Sequence, residues 1–160
     1  MTTVYLGIGT NLGDRYVNLQ RTVDSLAMAV EIVAVSPIYE TKPWGIENQP
    51  DFLNMCVSGE TQLAPYALLH HLKALELQLG REPGERWGPR LIDIDILFYN
   101  ELIMDEPLLT IPHKGIAGRA TVLMPLVDSA PELVHPIWKR KVVDLWREVD
   151  KSGVWPYVPD

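Results

Sequence analysis

Two aspartates alternate with isoleucines in the segment Leu91-Ile92-Asp93-Ile94-Asp95-Ile96-Leu97. Strand side chains alternate in direction, so Asp93 and Asp95 face one side while the isoleucines face the core. The aspartates lie about 6.6 Å apart along the strand, at a rise of ~3.3 Å per residue. Carboxylates at that spacing can ligate two divalent cations, and hard oxygen ligands favour magnesium with a phosphate substrate. A solvated polar face on a half-exposed strand is the alternative for this pair taken alone.

Three arginines, Arg81, Arg86 and Arg90, fall in the ten residues before this strand-like segment. The chain carries a formal net charge of −7, so a local cluster of cations needs a local reason. Guanidinium groups bind phosphate oxygens bidentately and stay charged, and Trp87 between them offers a flat face for stacking. A phosphate clamp and a surface loop whose arginines pair with neighbouring glutamates are equally compatible with position alone.

A histidine, a lysine and an arginine follow at His113, Lys114 and Arg119. They can contact phosphates or a leaving group, whereas a lone histidine is more often structural. The other three histidines have no such neighbours, and we assign them no role.

The elements that position these residues follow from periodicity and turn residues. We predict strands at 3–9, 32–41, 52–59 and 91–98, and helices at 15–29 and from Pro65 to Gly80. The order strand, helix, strand, strand, helix, strand is that of the split βαβ, or ferredoxin-like, α+β arrangement. We expect an antiparallel sheet with helices packed on one face, in a single domain spanning 1–160. The remainder is predicted irregular until 121–126, with a last short helix at 142–149 and a tail packed back on the domain.

Bulk composition excludes several classes of protein. The chain has 160 residues, of which 47% are hydrophobic, which allows a sizeable core. The acidic balance argues against nucleic acid and anionic membranes as partners. The single cysteine, Cys56, is expected to be a buried, inert thiol. A signal peptide and a spanning apolar run are absent from the sequence, so we expect a soluble cytoplasmic protein. Neither a dinucleotide fingerprint nor a P-loop occurs, since Leu12 replaces the third glycine that the fingerprint needs.

The run Arg86-Trp87-Gly88-Pro89-Arg90 followed by Asp93 and Asp95 resembles the signature of the 6-hydroxymethyl-7,8-dihydropterin pyrophosphokinases of folate biosynthesis. Further blocks resemble that family in the same order along nearly the whole chain, at 9–14, 39–43, 49–54, 112–113 and 119–126.

The resemblance implies an activity and a set of ligands. The family transfers the pyrophosphate of ATP, the co-substrate, to the hydroxymethyl group of the pterin and releases AMP. Two magnesium ions at Asp93 and Asp95 would bridge the ATP phosphates, with Arg81 and Arg90 as catalytic-loop cations. The implied partners are these small molecules alone. We expect the protein to be a monomer that binds neither nucleic acid nor membranes.

The resemblance also implies which residues surround each substrate. Phe52 would stack on the pterin ring, Asn54 would read its hydrogen-bonding edge, and Trp87 would close over its hydroxymethyl end. The full pterin set is Thr41, Lys42, Trp44, Phe52, Asn54 and Trp87. The ATP set is Glu76, Arg86, Ile96, Thr110, His113, Lys114 and Arg119.

The sequence departs from the family pattern in two places. Thr121 stands where the family often has a phenylalanine that forms the second stacking wall. Either the pterin loses that wall, or another aromatic residue such as Trp44 compensates. The loop between Arg81 and Arg86 is also short, and it lacks a second arginine that some relatives carry.

Two rival functions are compatible with parts of this pattern. One is a different metal-dependent phosphotransferase or phosphohydrolase on the same scaffold, against which Phe52 and Asn54 argue. The other is a non-enzymatic nucleotide-sensing module, which has no need of two carboxylates on one strand face. Turnover of ATP separates the two.

Overall fold

The computed structural model describes residues 1–43, 48–80 and 91–159. The strands of this part are β1 (Thr2–Thr10), β2 (Glu31–Val35), β3 (Tyr39–Thr41), β4 (Phe52–Thr61), β5 (Asp93–Tyr99), β6 (Met104–Glu106), β7 (Leu109–Ile111) and β8 (Val154–Pro156). The helices are α1 (Arg15–Leu26), α2 (Pro65–Gln78), α3 (Ala120–Ser129) and α4 (Val142–Glu148).

The main sheet is antiparallel throughout and runs in the order β5-β1-β4-β3-β8. The C-terminal half of β4 pairs with β2 as well, on the side away from β1. The order β5-β1-β4-β2, with α1 and α2 as the two crossovers, confirms the predicted ferredoxin-like arrangement. The tail is also as predicted, because β8 adds to β3 as a further strand.

The predicted second strand is two strands, β2 and β3. Ser36 separates them by a hydrogen bond from its N–H to the carbonyl oxygen of Cys56 (2.8 Å), and its Oγ accepts from the N–H of Cys56 (2.8 Å). Pro37 follows, and it has no N–H to donate to β4. The prediction of one continuous strand was wrong for this reason. The region predicted irregular also contains a hairpin, formed by β6 and β7.

Helices cover both faces of the sheet, which corrects the expectation of a single covered face. One core cluster joins α1 and α2 to one face through residues such as Leu19, Leu72 and Ile94. The other joins α3 and α4 to the opposite face through Cys56 and Leu126. Alternation along β4 explains the division, since Cys56 points away from its neighbours Met55 and Val57 in the first cluster.

Cys56 is fully buried in the second cluster, as the sequence predicts. Burial raises the pKa of its thiol to about 12, so it stays protonated and unreactive at neutral pH.

Candidate active site

A cavity of about 600 Å³ opens between β5, the β6–β7 hairpin and the start of α3. Every described residue with a predicted role lines it except Glu76. These residues are Thr41, Lys42, Phe52, Asn54, Asp93, Asp95, Ile96, Thr110, His113, Lys114 and Arg119. Strands that are far apart in the sequence thus bring the residues predicted to bind pterin and those predicted to bind ATP to the same cavity.

Five other residues with predicted roles lie outside the described part of the chain. They are Trp44, Arg81, Arg86, Trp87 and Arg90.

The two aspartates of β5 both face this cavity, while Ile94 between them is only 1% exposed. Burial raises the pKa of Asp95 to about 7, the neighbouring charge of Asp93 adds to the rise, and the charge of Lys73 opposes it. The raised pKa of Asp95 means that its ionised form is costly here, and a bound divalent cation offsets such a cost, so the two carboxylates are a suitable donor pair for divalent cations. Among the described residues there is no group of three or more His, Cys, Asp or Glu side chains that could hold a metal ion.

The backbone between the aspartates is fixed by Glu76 of α2. Its carboxylate is almost fully buried and accepts the N–H of Ile94 at 2.8 Å. Within the described ranges β5 is an edge strand of the main sheet, so the carboxylate of Glu76 takes the place of a strand partner for this N–H. Glu76 is therefore not part of the cavity wall but positions the segment that carries both aspartates.

His113 stands beside the aspartate pair. Its Nδ1 accepts the N–H of Gly115 at 2.9 Å, which leaves the proton on Nε2, and Nε2 lies 3.7 Å from Oδ1 of Asp95. The N–H of His113 donates to the carbonyl oxygen of Leu97 at 3.0 Å, which attaches this segment to β5. Burial lowers the pKa of His113, and the nearby guanidinium of Arg119 lowers it further. The imidazole is therefore a neutral donor at neutral pH.

A glycine makes room for Arg119 next to His113. A Cβ atom on Gly115 would lie 2.5 Å from Nη1 of Arg119 and 3.1 Å from Nδ1 of His113. No side chain fits at this position without moving a cation or an imidazole of the cavity wall.

The predicted pterin residues of the cavity are joined by a contact between two strands. Nδ2 of Asn54 on β4 donates to Oγ1 of Thr41 on β3 at 2.7 Å. A Cβ atom on Gly9 of β1 would lie 2.9 Å from Oδ1 of Asn54 and 3.8 Å from Cδ1 of Phe52. Gly9 is therefore required for the present orientation of the Asn54 amide.

The end of β1 and the turn after it connect two segments that border the cavity. Nδ2 of Asn11 donates to Oε1 of Gln49 (2.9 Å) and to the carbonyl oxygen of Pro50 (2.8 Å). The hydroxyl of Thr10 donates to the carbonyl oxygen of Leu91, directly before β5. These bonds give a structural reason for the polar residues Thr10 and Asn11.

Sequence reasoning missed Lys73. This residue lines the cavity, lies 3.3 Å from Oε1 of Glu76, and opposes the rise in the pKa of Asp95. Leu69 and Lys73 are one helical turn apart on α2 and both line the cavity, and Glu76 follows at the next turn. This spacing was available in the sequence, but it does not show which side of α2 turns toward the edge of β5.

Paired carboxylates opposite several cations, on a ferredoxin-like scaffold, define the class: a small α+β enzyme that acts on a phosphorylated small molecule. A family model described as 7,8-dihydro-6-hydroxymethylpterin-pyrophosphokinase (HPPK) matches residues 5–131. The chain belongs to this family.

Relatives with curated names agree with this assignment. The chain is 41% identical over 140 residues to the 2-amino-4-hydroxy-6-hydroxymethyldihydropteridine pyrophosphokinase of Aquifex aeolicus, covering 88% of each chain. It is 41% identical over 156 residues to the protein of the same name from Methylorubrum extorquens, covering 96% of this chain and 98% of the relative.

A solved structure confirms the fold. The wild-type HPPK-DHPS of Plasmodium falciparum superposes with a TM-score of 0.74 at 17% identity, over 92% of this chain. The chain spans 44% of the length of that protein.

None of the helices in the described ranges is both long and apolar enough to cross a membrane.

Proposed function

We propose that the cavity is the active site at which this chain performs the reaction of its family. The hydroxymethyl oxygen of 6-hydroxymethyl-7,8-dihydropterin attacks the β-phosphorus of ATP, the bond from that phosphorus to the α,β-bridging oxygen breaks, and AMP leaves. Phosphoryl transfer of this kind depends mainly on positioning and on stabilising charge. One observation carries the proposal: Asp93 and Asp95 line the same cavity as Phe52 and Asn54, the residues predicted to bind the pterin.

Asp93 and Asp95 would hold two magnesium ions together with phosphate oxygens of ATP. The charge repulsion between these carboxylates supports the assignment, because divalent cations relieve it. Magnesium commonly uses only one or two protein carboxylates and takes its other ligands from substrate phosphates and water. When bound, the ions would neutralise the phosphate oxygens and lower the pKa of a coordinated hydroxyl.

The ATP side would consist of hydrogen-bond donors and cations on two walls of the cavity. His113, Lys114 and Arg119 lie along one wall and Lys73 lies on another. His113 would donate from Nε2 to a phosphate oxygen, since its Nδ1 is already an acceptor. Thr110 and Ile96 complete this side, and Glu76 supports it from behind β5. Arg81, Arg86 and Arg90 remain predicted phosphate ligands.

The pterin side would be formed by β3 and β4. Phe52 would stack on the heterocycle, which aromatic side chains favour in offset geometry. Asn54 would bind the polar edge, held in place by Thr41. Lys42 lines the same end, and Trp44 and Trp87 remain predicted contacts.

The proposal also covers the organisation of the chain. We expect one domain over 1–160 acting as a monomer, in the cytoplasm, on small molecules and without nucleic acid. The two core clusters support one unit, because both pack on the same sheet.

The test mixes purified protein with ATP, magnesium and 6-hydroxymethyl-7,8-dihydropterin and separates the nucleotides by chromatography. We expect AMP in a one-to-one ratio with pyrophosphorylated pterin, and none when pterin or magnesium is omitted. ADP or free phosphate formed without pterin would contradict the proposal and indicate a different phosphotransferase or hydrolase.

A further inference from the structure

One arginine joins the start of α1 to the strands of the proposed pterin side. Nη1 of Arg15 donates to Oε2 of Glu40 on β3 at 2.6 Å and to the carbonyl oxygen of Asp51 at 3.0 Å. Asp51 directly precedes Phe52, the first residue of β4. A single guanidinium thus connects α1, β3 and the start of β4, which are distant from one another in the sequence.

This ion pair lies on the side of the sheet away from the cavity. Thr41 lines the cavity, and neighbouring side chains of a strand point to opposite faces, so Glu40 points away from it. Leu53, the register partner of Glu40, belongs to the core cluster that α1 and α2 cover. Neither Arg15 nor Glu40 lines the cavity. Any effect of Arg15 on a substrate bound there therefore passes through the strands.

The surroundings of the ion pair restrict it to one arrangement. The side chains of Arg15 and Glu40 are only 27% and 21% exposed, so solvent screens the pair less than it screens a surface pair. Nε1 of Trp155 donates to the other oxygen of Glu40 at 3.0 Å, and the guanidinium of Arg15 lies 5.8 Å from the ring centroid of Tyr157. Burial alone would raise the pKa of Glu40, but the hydrogen bonds from Arg15 and Trp155 lower it, so the carboxylate stays charged at neutral pH.

The backbone that leads into β4 is held by side chains from the other end of the sheet. Nδ2 of Asn11 donates to the carbonyl oxygen of Pro50 at 2.8 Å, and Nη1 of Arg15 donates to the next carbonyl oxygen, that of Asp51. Phe52 follows directly and lines the cavity. The direction in which the Phe52 ring leaves the backbone therefore depends on these two consecutive bonds.

We infer that Arg15 is a positioning residue of the pterin site, whose guanidinium holds the end of β3 and the start of β4 so that Thr41 and Phe52 face the substrate together. The inference rests on the proposed function of the cavity. Nη1 carries two N–H groups, so this one atom can bind the Glu40 carboxylate and a carbonyl oxygen at the same time. A site whose contact groups are already in place loses less free energy when the ligand orders it.

The test measures kcat and both KM values in Arg15→Met, which removes the guanidinium and keeps an unbranched side chain. The KM for pterin should rise about fivefold, because Phe52 and Thr41 lose their fixed spacing. The KM for ATP and kcat should each stay within about twofold, since the change affects the binding of one substrate and not the transfer step. Arg15→Lys keeps the charge and the N–H donors, and it should recover part of the affinity for pterin.

Arg140→Met is the matched control, because it removes the same kind of ion pair from another part of the molecule. Nη2 of Arg140 lies 2.6 Å from Oε1 of Glu148, and neither residue lines the cavity. Both methionine variants should unfold at a slightly lower temperature than the wild type, since each loses an ion pair. Kinetics are measured where both remain folded, and there only Arg15→Met should raise the KM for pterin.

Glu40→Gln repeats the test from the other partner if Arg15→Met is unstable. It keeps the size of the side chain and removes its charge, and it should raise the KM for pterin without changing the KM for ATP. An unchanged KM for pterin in a folded Arg15→Met or Glu40→Gln variant would overturn the inference. An equal rise in both KM values, or an equal rise in the KM for pterin in Arg140→Met, would overturn it as well.

The wild-type protein separates this inference from the proposed function. If it forms no AMP from ATP and pterin, the proposed function fails and the inference fails with it. If it forms AMP and the Arg15 variants bind pterin normally, only the inference fails.

Discussion

Oδ1 of Asp95 and Nε2 of His113 lie 3.7 Å apart in the wall of the cavity, although the two residues are 18 positions apart in the chain. The hydrogen bond from the N–H of His113 to the carbonyl oxygen of Leu97 sets this relationship. A metal-ligand candidate and a neutral donor are thus held on the same side of β5. Both face the space in which the phosphates of ATP are proposed to bind.

Asp95→Asn should separate activity from stability. Turnover should fall by several orders of magnitude because one of the two proposed metal ligands loses its charge. The ligand-free protein should become more stable by about 1 kcal/mol, because the repulsion between Asp93 and Asp95 is relieved. The gain is small because solvent already screens part of this repulsion. Coupled detection of AMP and thermal unfolding measure the two effects. Asp24→Asn, an exposed change on α1, is the matched control and should alter neither. Near-normal turnover in Asp95→Asn would contradict the metal assignment.

Gly9→Ala should weaken pterin binding with little loss of stability. The new methyl would lie 2.9 Å from Oδ1 of Asn54, and the amide can rotate away at small cost. The KM for pterin should rise by about tenfold, the equivalent of roughly 1.4 kcal/mol, while the KM for ATP changes little. Gly7→Ala is a useful comparison on the same strand, because its methyl would meet the side chain of Leu97 at an ordinary 3.4 Å. Equal effects of both variants on the KM for pterin would contradict this account of Gly9.

Trp155→Phe should loosen the C-terminal strand. Nε1 of Trp155 on β8 donates to Oε1 of Glu40 on β3 at 3.0 Å, and Nη1 of Arg15 donates to the other oxygen at 2.6 Å. Loss of the indole donor should cost about 1 kcal/mol in the free energy of unfolding. Urea denaturation followed by circular dichroism measures this change. Thr41, a predicted pterin residue, is the last residue of β3, the strand that β8 pairs with. We therefore also expect a modest rise in the KM for pterin. An unchanged denaturation midpoint would show that β8 does not depend on this bond.

The protein should become less stable as the pH decreases, because His135 becomes protonated. Burial lowers the pKa of His135, and its Nδ1 accepts the N–H groups of Ile137 (3.2 Å) and Trp138 (3.3 Å). A proton on Nδ1 removes that acceptor. Because the folded-state pKa lies below the unfolded value of 6.5, this contribution is complete above pH 6.5 and is lost as pH falls through the folded pKa.

Unfolding temperatures of wild type and His135→Gln between pH 8 and pH 5 measure this effect. The wild-type protein should lose more stability toward pH 5 than the variant does. Parallel pH profiles would contradict the assignment to His135.

Much of the site was predictable because it lies in local patterns. The period of two along β5 places Asp93 and Asp95 on one face whatever the sheet order. The order of strands and helices predicted the ferredoxin-like topology, and β1, β4 and β5 confirm it. The break after β2 was missed because apolar residues resume directly after Ser36 and Pro37, and both β2 and β3 pair with the same strand, β4.

The sequence by itself determined the residue types of the site, the strand that carries the carboxylates and the family to which the chain belongs. The tertiary structure decided which distant side chains meet that strand. It turns Lys73 toward the cavity and assigns Glu76 to the N–H of Ile94. The physical reason is that periodicity records which face of an element is apolar, whereas a contact between elements depends on how their faces pack against one another in space.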